Sequence, residues 1–158
     1  MLNLFLYQIQ HKERSMSMDT KFSVALHILA MISESRDILS SQALAESVGT
    51  NPSYIRKVIA LLKKAEIISS QQGKSGYELT KSPREISLLE IYFATQEVDG
   101  ITLFPIHQNT NVACPVGNHI EAAISPIFAS VEEQLEKELQ TKTLQDIIDN
   151  LYDVASKK

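Results

Sequence analysis

Between Ser40 and Thr80 the chain reads SSQALAESVGTNPSYIRKVIALLKKAEIISSQQGKSGYELT, and the order of local signals in it leaves few architectures open. Ser40 or Ser41 serves as N-cap of a short helix whose apolar residues, Ala43, Leu44 and Val48, fall at helical spacing, and Gly49 stops it. Asn51 is again a good N-cap, and Pro52 suits the first helical position, where its missing N–H is not needed and its φ is pre-set. The second helix then carries Ile55, Val58, Ile59 and Leu62 at i, i+3, i+4, i+7, which leaves Ser53, Tyr54, Arg56 and Lys57 outward at its N-terminal end. Ile67 and Ile68 open an apolar stretch too short for another helix. Gly73 to Gly76 form a hairpin tip bearing Lys74, and Tyr77 to Thr80 alternate as a half-buried return strand does. Two helices around a glycine turn, followed by a hairpin, make a winged helix-turn-helix, in which the start of the second helix meets DNA base edges. The competing reading is a winged-helix module that meets only protein.

The formal charge of −4 argues against indiscriminate coating of nucleic acid, yet it averages two unlike halves. Residues 19–84 hold nine Lys or Arg against six Asp or Glu, whereas residues 85–158 hold four against twelve. A locally basic head on an acidic body suits specific DNA binding, since cations are needed only where the phosphate backbone passes. The 158 residues, 44% of them hydrophobic, suffice for a real core. The expected fold class is mainly α with a small β-hairpin: an N-terminal extension over 1–18, a winged helix-turn-helix domain over 19–84, and a helical dimerisation and effector region over 85–158. No apolar run reaches the roughly 18 to 20 residues a membrane helix needs. The single cysteine, Cys114, excludes an intrachain disulfide and points to the cytoplasm.

Seven of the first nine residues are apolar or aromatic, but His11, Lys12 and Arg14 follow that run instead of preceding it, which argues against an export signal. Met16 and Met18 each precede a more ordinary start, so residues 1–15 read either as an upstream start choice or as an extra helix burying Leu2, Leu4, Phe5, Leu6 and Ile9.

From Thr20 to Ser33 apolar residues occupy more than one helical face, as expected of a helix buried on two sides, with His27 as a hydrogen-bonded packing residue inside it. After the break Lys81 to Arg84, Ile86 to Val98 reads as a core helix, and Gly100 to Ala113 as a loop. From Pro115 to Glu138, Ile120, Ile124, Ile127, Val131, Leu135 and Leu139 recur at steps of three and four, the stripe of a helix-pairing surface. Pro126 interrupts it, predicting a kink or a restart with Ser125 as N-cap. A final helix runs from Leu144 to Val154. The stripe either fills an intrachain core or pairs two copies. The dimer is favoured, because two recognition helices about 34 to 36 Å apart read a palindrome.

With this order of elements in view, the chain resembles the Rrf2 family of bacterial winged-helix regulators over nearly everything after Met18, and within it the YwnA-type branch. The resemblance is carried by KFSVALHILAMI, NPSYIRKVIALLKKAEII, ISLLEIYFA and the CPVG of Cys114 to Gly117. It implies a cytoplasmic homodimeric transcription regulator, more often a repressor, acting on double-stranded DNA. It also implies base reading by Ser53, Arg56 and Lys57, with Tyr54 near the backbone and Asn51 and Ser41 among the DNA-binding residues. Backbone or minor-groove contacts are implied for Thr20, Lys21, Gln72 and Lys74. Many members have arginine before the wing glycine and a doubled glycine before the aromatic, where this chain has Gln72 and a lone Gly76. Cluster-binding relatives supply three cysteines where this chain has only Cys114. Iron–sulfur clusters need several thiolates or histidines, so no cofactor is expected. Cys114, read as the N-cap of a helix beginning at Pro115, is the candidate sensor of an unidentified small-molecule or redox effector. The competing reading, a small buried packing residue, stands beside it. No enzyme is expected: His107, Cys114 and His119 lack the orienting Asp or Asn of a triad.

Overall fold

The computed structural model describes residues 19–70 and 76–157. Gln72, Lys74 and the first eighteen residues lie outside the described residues. Helix α1 spans Lys21–Glu34 and buries Ala25, Ile28, Leu29, Ala30 and Ile32, with Phe22, Val24, Leu26 and Met31 packed part-buried on the same core. Its first turn is capped by Asp19, whose Oδ1 accepts the Lys21 N–H at 2.8 Å, while the Thr20 side chain makes no cap. His27 is hydrogen-bonded as expected but is not packed inside. It is exposed and shares a 2.9 Å hydrogen bond with Ser47 Oγ, because its position falls outside the strip that the other helices cover.

Helix α2, Ser41–Val48, begins where Ser40 Oγ accepts the Ala43 N–H and ends at Gly49, whose φ of +77° is the left-handed conformation that glycine adopts without a Cβ penalty. Two residues later Asn51 Oδ1 accepts the Tyr54 N–H at 2.9 Å and Pro52 opens helix α3, Pro52–Lys64. The face of α3 carrying Ile55, Val58, Ile59 and Leu62 is buried as its spacing requires. Strands β1, Ile68–Ser69, and β2, Glu78–Leu79, pair antiparallel in the register Ile68 with Leu79 and Ser69 with Glu78. Most of the predicted tip, Gly73 to Ser75, lies outside the described residues, and the return strand is shorter than the predicted Tyr77 to Thr80. Thr80 extends it by other means, its N–H donating to Ile67 O at 3.1 Å and its hydroxyl reaching the Glu66 and Ile67 carbonyls.

Past a single 3₁₀ turn, Pro83–Glu85, helix α4 runs over Leu88–Gln96. It begins later than its apolar pattern predicts because Ile86 and Ser87 are extended: Leu88 N–H donates to Lys142 O and Leu144 N–H to Ile86 O, each at 2.9 Å. The residues between helices α5, Ile120–Thr141, and α6, Leu144–Ser156, thus dock beside the start of α4. Helix α6 returns to α1, burying Leu144 and Ile148, and the Tyr152 hydroxyl donates to the Glu34 carboxylate. The core is accordingly continuous across the boundary expected at residue 84. Leu44, Ile55, Leu62, Ile86, Ile91, Leu144 and Ile148 belong to one cluster.

Helix α5 starts at Ile120, five residues later than predicted, and passes through Pro126 without restarting. Pro126 denies the Ala122 carbonyl its usual donor, but Ala122 is exposed, so water replaces the missing bond at little cost. Ser125 does not act as an N-cap. Its hydroxyl donates back to Glu121 O at 2.7 Å.

Candidate nucleic-acid interface

Because one face of α3 is locked into the core, the side chains at its N-terminal end have a fixed outward direction. Ser53, Arg56 and Lys57 are exposed and Tyr54 is half-buried. Arg56 Nη2 rests on Ser53 Oγ at 3.1 Å, and neither Arg56 nor Lys57 enters an ion pair among the described residues. The two cations at the other end of the helix differ: Lys63 donates to Ser70 Oγ at 2.9 Å and Lys64 pairs with Glu97 at 3.5 Å, both where a helix C-terminus favours positive charge. Of these four cations only Lys64 is ion-paired among the described residues, so the N-terminal end of α3 keeps both of its positive charges uncompensated.

Thr20 stands beside this free end, its Oγ1 3.5 Å from the Tyr54 hydroxyl. Lys21 is part-buried and forms an ion pair with Asp19 at 3.0 Å. Burial raises the Asp19 carboxyl, but the Lys21 N–H and ammonium outweigh it and hold the group below its ordinary range. Ser41 lies elsewhere, with its Oγ 3.4 Å from the Tyr77 hydroxyl at the base of the wing. Gly76, at φ +113°, packs against Ile38, and a Cβ there would come within 2.5 Å of Ile38 Cγ2. This contact between wing and α1–α2 connection had no sequence signal beyond the glycine.

Cys114 is exposed and in no disulfide, and it heads a tight turn, not a helix. Asn111 Oδ1 accepts the Ala113 N–H at 2.9 Å, Asn111 O accepts the Cys114 N–H at 3.1 Å, and Cys114 O accepts the Asn118 N–H at 2.9 Å. The backbone N–H groups of Gly117 and then Val116 point at the sulfur and hold the thiol below its usual range. The predicted effect on the thiol survives although the predicted helix start does not, since two convergent N–H groups do what the first turn of a helix does. His119 Nδ1 is engaged with Pro115 O at 2.8 Å, and His107 is exposed. Among the described residues no group of three or more His, Cys, Asp or Glu is gathered to hold a metal ion.

Helix α5 has 22 residues and none of them is buried. Of its predicted stripe, Ile120, Ile124 and Leu135 are half-buried, whereas Ile127 and Val131 are 62% and 46% exposed. One flank is occupied by residues 101–104: Glu136 Oε1 accepts the Ile101 N–H at 2.7 Å, Glu132 Oε1 accepts from Leu103 and Phe104 at 2.6 and 3.1 Å, and the Phe104 and Phe128 rings lie 5.1 Å apart. The segment leading to Cys114 is thus strapped to α5 by two carboxylates, which alternation of apolar residues did not announce. No helix among the described residues is long and apolar enough to cross a membrane.

Comparison with known proteins gives this geometry a lineage. Residues 18–150 match the model of the Rrf2 family, described as iron-dependent transcriptional regulators. YwnA of Bacillus subtilis (strain 168), provisionally named an HTH-type transcriptional regulator, is 43% identical over 134 residues, covering 85% of this chain and 98% of its own length. A crystal structure of a protein provisionally described as DNA-binding shares 41% identity, a TM-score of 0.65, and coverage of 81% of this chain and 98% of that one. CymR, the global cysteine regulator of B. subtilis, shares the fold at 16% identity and a TM-score of 0.64, over 85% of this chain and 97% of its own. The winged helix-turn-helix read from the glycine turn and the capped second helix is therefore the reading head of a known lineage, and this chain belongs to the Rrf2 family of transcriptional regulators.

Proposed function

We propose that this protein is a cytoplasmic homodimer that binds a palindromic operator through α3 and represses transcription there. The observation that carries the reading is the free N-terminal end of α3. Its opposite face is fixed in the core, and Arg56 and Lys57 project from it without ion-pair partners among the described residues. A guanidinium or ammonium in that position suits guanine O6 and N7 in the major groove, with Ser53 able to serve either base edge. Tyr54 and Thr20 are suited to the adjacent backbone; Asn51 acts through its cap, and Ser41 through its contact with Tyr77. Gln72 and Lys74 belong to the wing in this reading. The exposed stripe of α5 supplies the two-fold contact, and a two-fold dimer matches a palindrome.

The regulated step is assigned to Cys114. A thiolate stabilised by the Gly117 and Val116 N–H groups attacks a peroxide oxygen, giving a sulfenic acid and releasing hydroxide; the sulfenic acid then condenses with a low-molecular-weight thiol or with the Cys114 thiol of a second copy, forming a disulfide and releasing water. The donor set does not fit an iron–sulfur cluster, which needs several thiolates or histidines, so no step is routed through one. No catalytic step is assigned to the chain. The strap over residues 101–104 offers a route from Cys114 to α5 and thence to the spacing of the two reading heads.

Binding to a specific and a random duplex over a salt series tests the reading. Arg56→Ala is expected to relax specificity at one operator position at a cost of about 1 to 3 kcal/mol. Salt-insensitive binding, or none to any duplex, favours a module that meets protein instead. For the sensor, Cys114→Ser is expected to abolish any peroxide-dependent change in affinity. An unchanged response removes Cys114 from that role.

A further inference from the structure

We propose that the cleft between α1 and the turn joining α2 to α3 receives a phosphate of the DNA backbone and that His27 is one of its contact residues; this rests on the DNA-binding reading above. Thr20, Ser23 and His27 fall on one face of α1 at steps of three and four, and they form one wall of that cleft. Val48, Gly49 and Thr50 of the turn and Tyr54 of α3 line it as well. No carboxylate lines the cleft. The acids nearby in the sequence of these elements are engaged: Asp19 by Lys21 at 3.0 Å, and Glu46 of α2 by Gln42 Nε2 at 2.9 Å. The remaining charged or titratable groups at this end of the three helices are Tyr54, Arg56 and Lys57.

Position and chemistry agree. Tyr54 belongs both to the cleft and to the base-reading end of α3, so an occupant of the cleft lies beside the strand that the reader straddles. The hydroxyls of Thr20, Thr50 and Tyr54 are neutral donors, which suit a phosphate oxygen but neutralise no charge, while the Ser23 hydroxyl already donates to Thr20 O at 3.0 Å. His27 supplies the missing charge. Its Nε2 shares a 2.9 Å hydrogen bond with Ser47 Oγ, and when the ring is an imidazolium both nitrogens donate, Nε2 to that hydroxyl and Nδ1 to a second acceptor. A charge-assisted N–H to a phosphate oxygen carries no sequence information, so the contact contributes equally on any duplex.

The test compares wild type, His27→Gln and His27→Arg on one operator and one random duplex, across a salt series at about pH 6 and about pH 8, the interval in which an imidazole changes charge. At the lower pH the wild-type plot of log affinity against log salt should be steeper than that of H27Q by about 0.9, on both duplexes, and at the higher pH the two should converge. The arginine variant, charged throughout, should keep the steeper slope at both. Parallel wild-type and H27Q slopes at the lower pH, with DNA still bound, overturn the assignment of His27 and leave the reader intact. A defect confined to the operator also overturns it, by moving the residue to a base edge. Absence of DNA binding by the wild type at both pH values overturns the reader and this contact together. Matching thermal melts of the three proteins establish that the fold is shared.

Discussion

Ile127→Ala isolates the proposed dimer surface from the fold of the chain. Ile127 is 62% exposed and Val131 46% exposed on a helix with no buried residue, so neither belongs to the chain's own core. Fully burying an isoleucine side chain is worth about 1.5 to 3 kcal/mol, so covering the exposed share of Ile127 contributes about 1 to 2 kcal/mol per copy. An isologous contact uses the residue twice, which makes about 2 to 4 kcal/mol per dimer. Truncation should therefore raise the dimer dissociation constant by roughly 30- to 700-fold, the upper part of that range applying if the alanine recovers little of the contact. Sedimentation equilibrium over a dilution series reads this directly. The circular dichroism of the dilute variant should match that of the equally dilute wild type. A dissociation constant within threefold of wild type, or a wild type that stays monomeric at its highest soluble concentration, refutes the assignment of α5 as the pairing helix.

Asn51→Ala removes the acceptor for the Tyr54 N–H and should cost about 1 kcal/mol. For a chain of this size that lowers the melting temperature by about 2 to 4 °C, as read by calorimetry. Gly76→Ala places a Cβ within 2.5 Å of Ile38 Cγ2 at φ +113°, and backbone strain of this kind costs about 1 to 3 kcal/mol. Adding Ile38→Ala should restore only the contact part of that loss. Full recovery in the double variant would mean that φ carries none of it. Gly117→Ala brings a Cβ within 2.5 Å of Asn111 O and so disturbs the turn whose Gly117 and Val116 N–H groups hold the Cys114 thiol low. Those donors favour the thiolate, so weakening them raises the thiol pKa, and the pH midpoint of Cys114 alkylation should move upward. An unmoved midpoint would mean that the turn does not set the reactivity of the thiol.

What the sequence disclosed was local. Ser40, Gly49, Asn51 and Pro52 act on their own neighbours within a few residues, and each performs the capping or stopping role its chemistry predicts. The burial of Ile55, Val58, Ile59 and Leu62 follows in the same way, because a period of 3.6 residues defines a face before any partner is known. The misreadings are non-local. The pairing of Ile86 and Leu88 with residues 142–144 shortens α4, and no pattern within either segment announces a partner more than fifty positions away. Proline and cysteine before a stripe of isoleucines suggested a helix from Pro115, yet Asn111 and Gly117 close a separate turn first. Pro126 allows a kink or a restart, and the restart does not occur: the helix runs on, and the hydrogen bond Pro126 forfeits falls at the exposed residue Ala122. The exposure of His27 was hidden for a related reason. A helix apolar on several faces still has one that nothing covers, and periodicity alone does not say which.

Selection of fragmented genomic DNA on the reduced protein asks whether two copies of α3 read a palindrome. An enriched inverted repeat is expected whose half-site centres lie about one helical turn, roughly 34 to 36 Å, apart or a multiple of it. Enrichment should collapse for the Arg56→Ala, Lys57→Ala double variant. Recovery of fragments without a shared inverted repeat, or of the same repeat by the double variant, would contradict that arrangement.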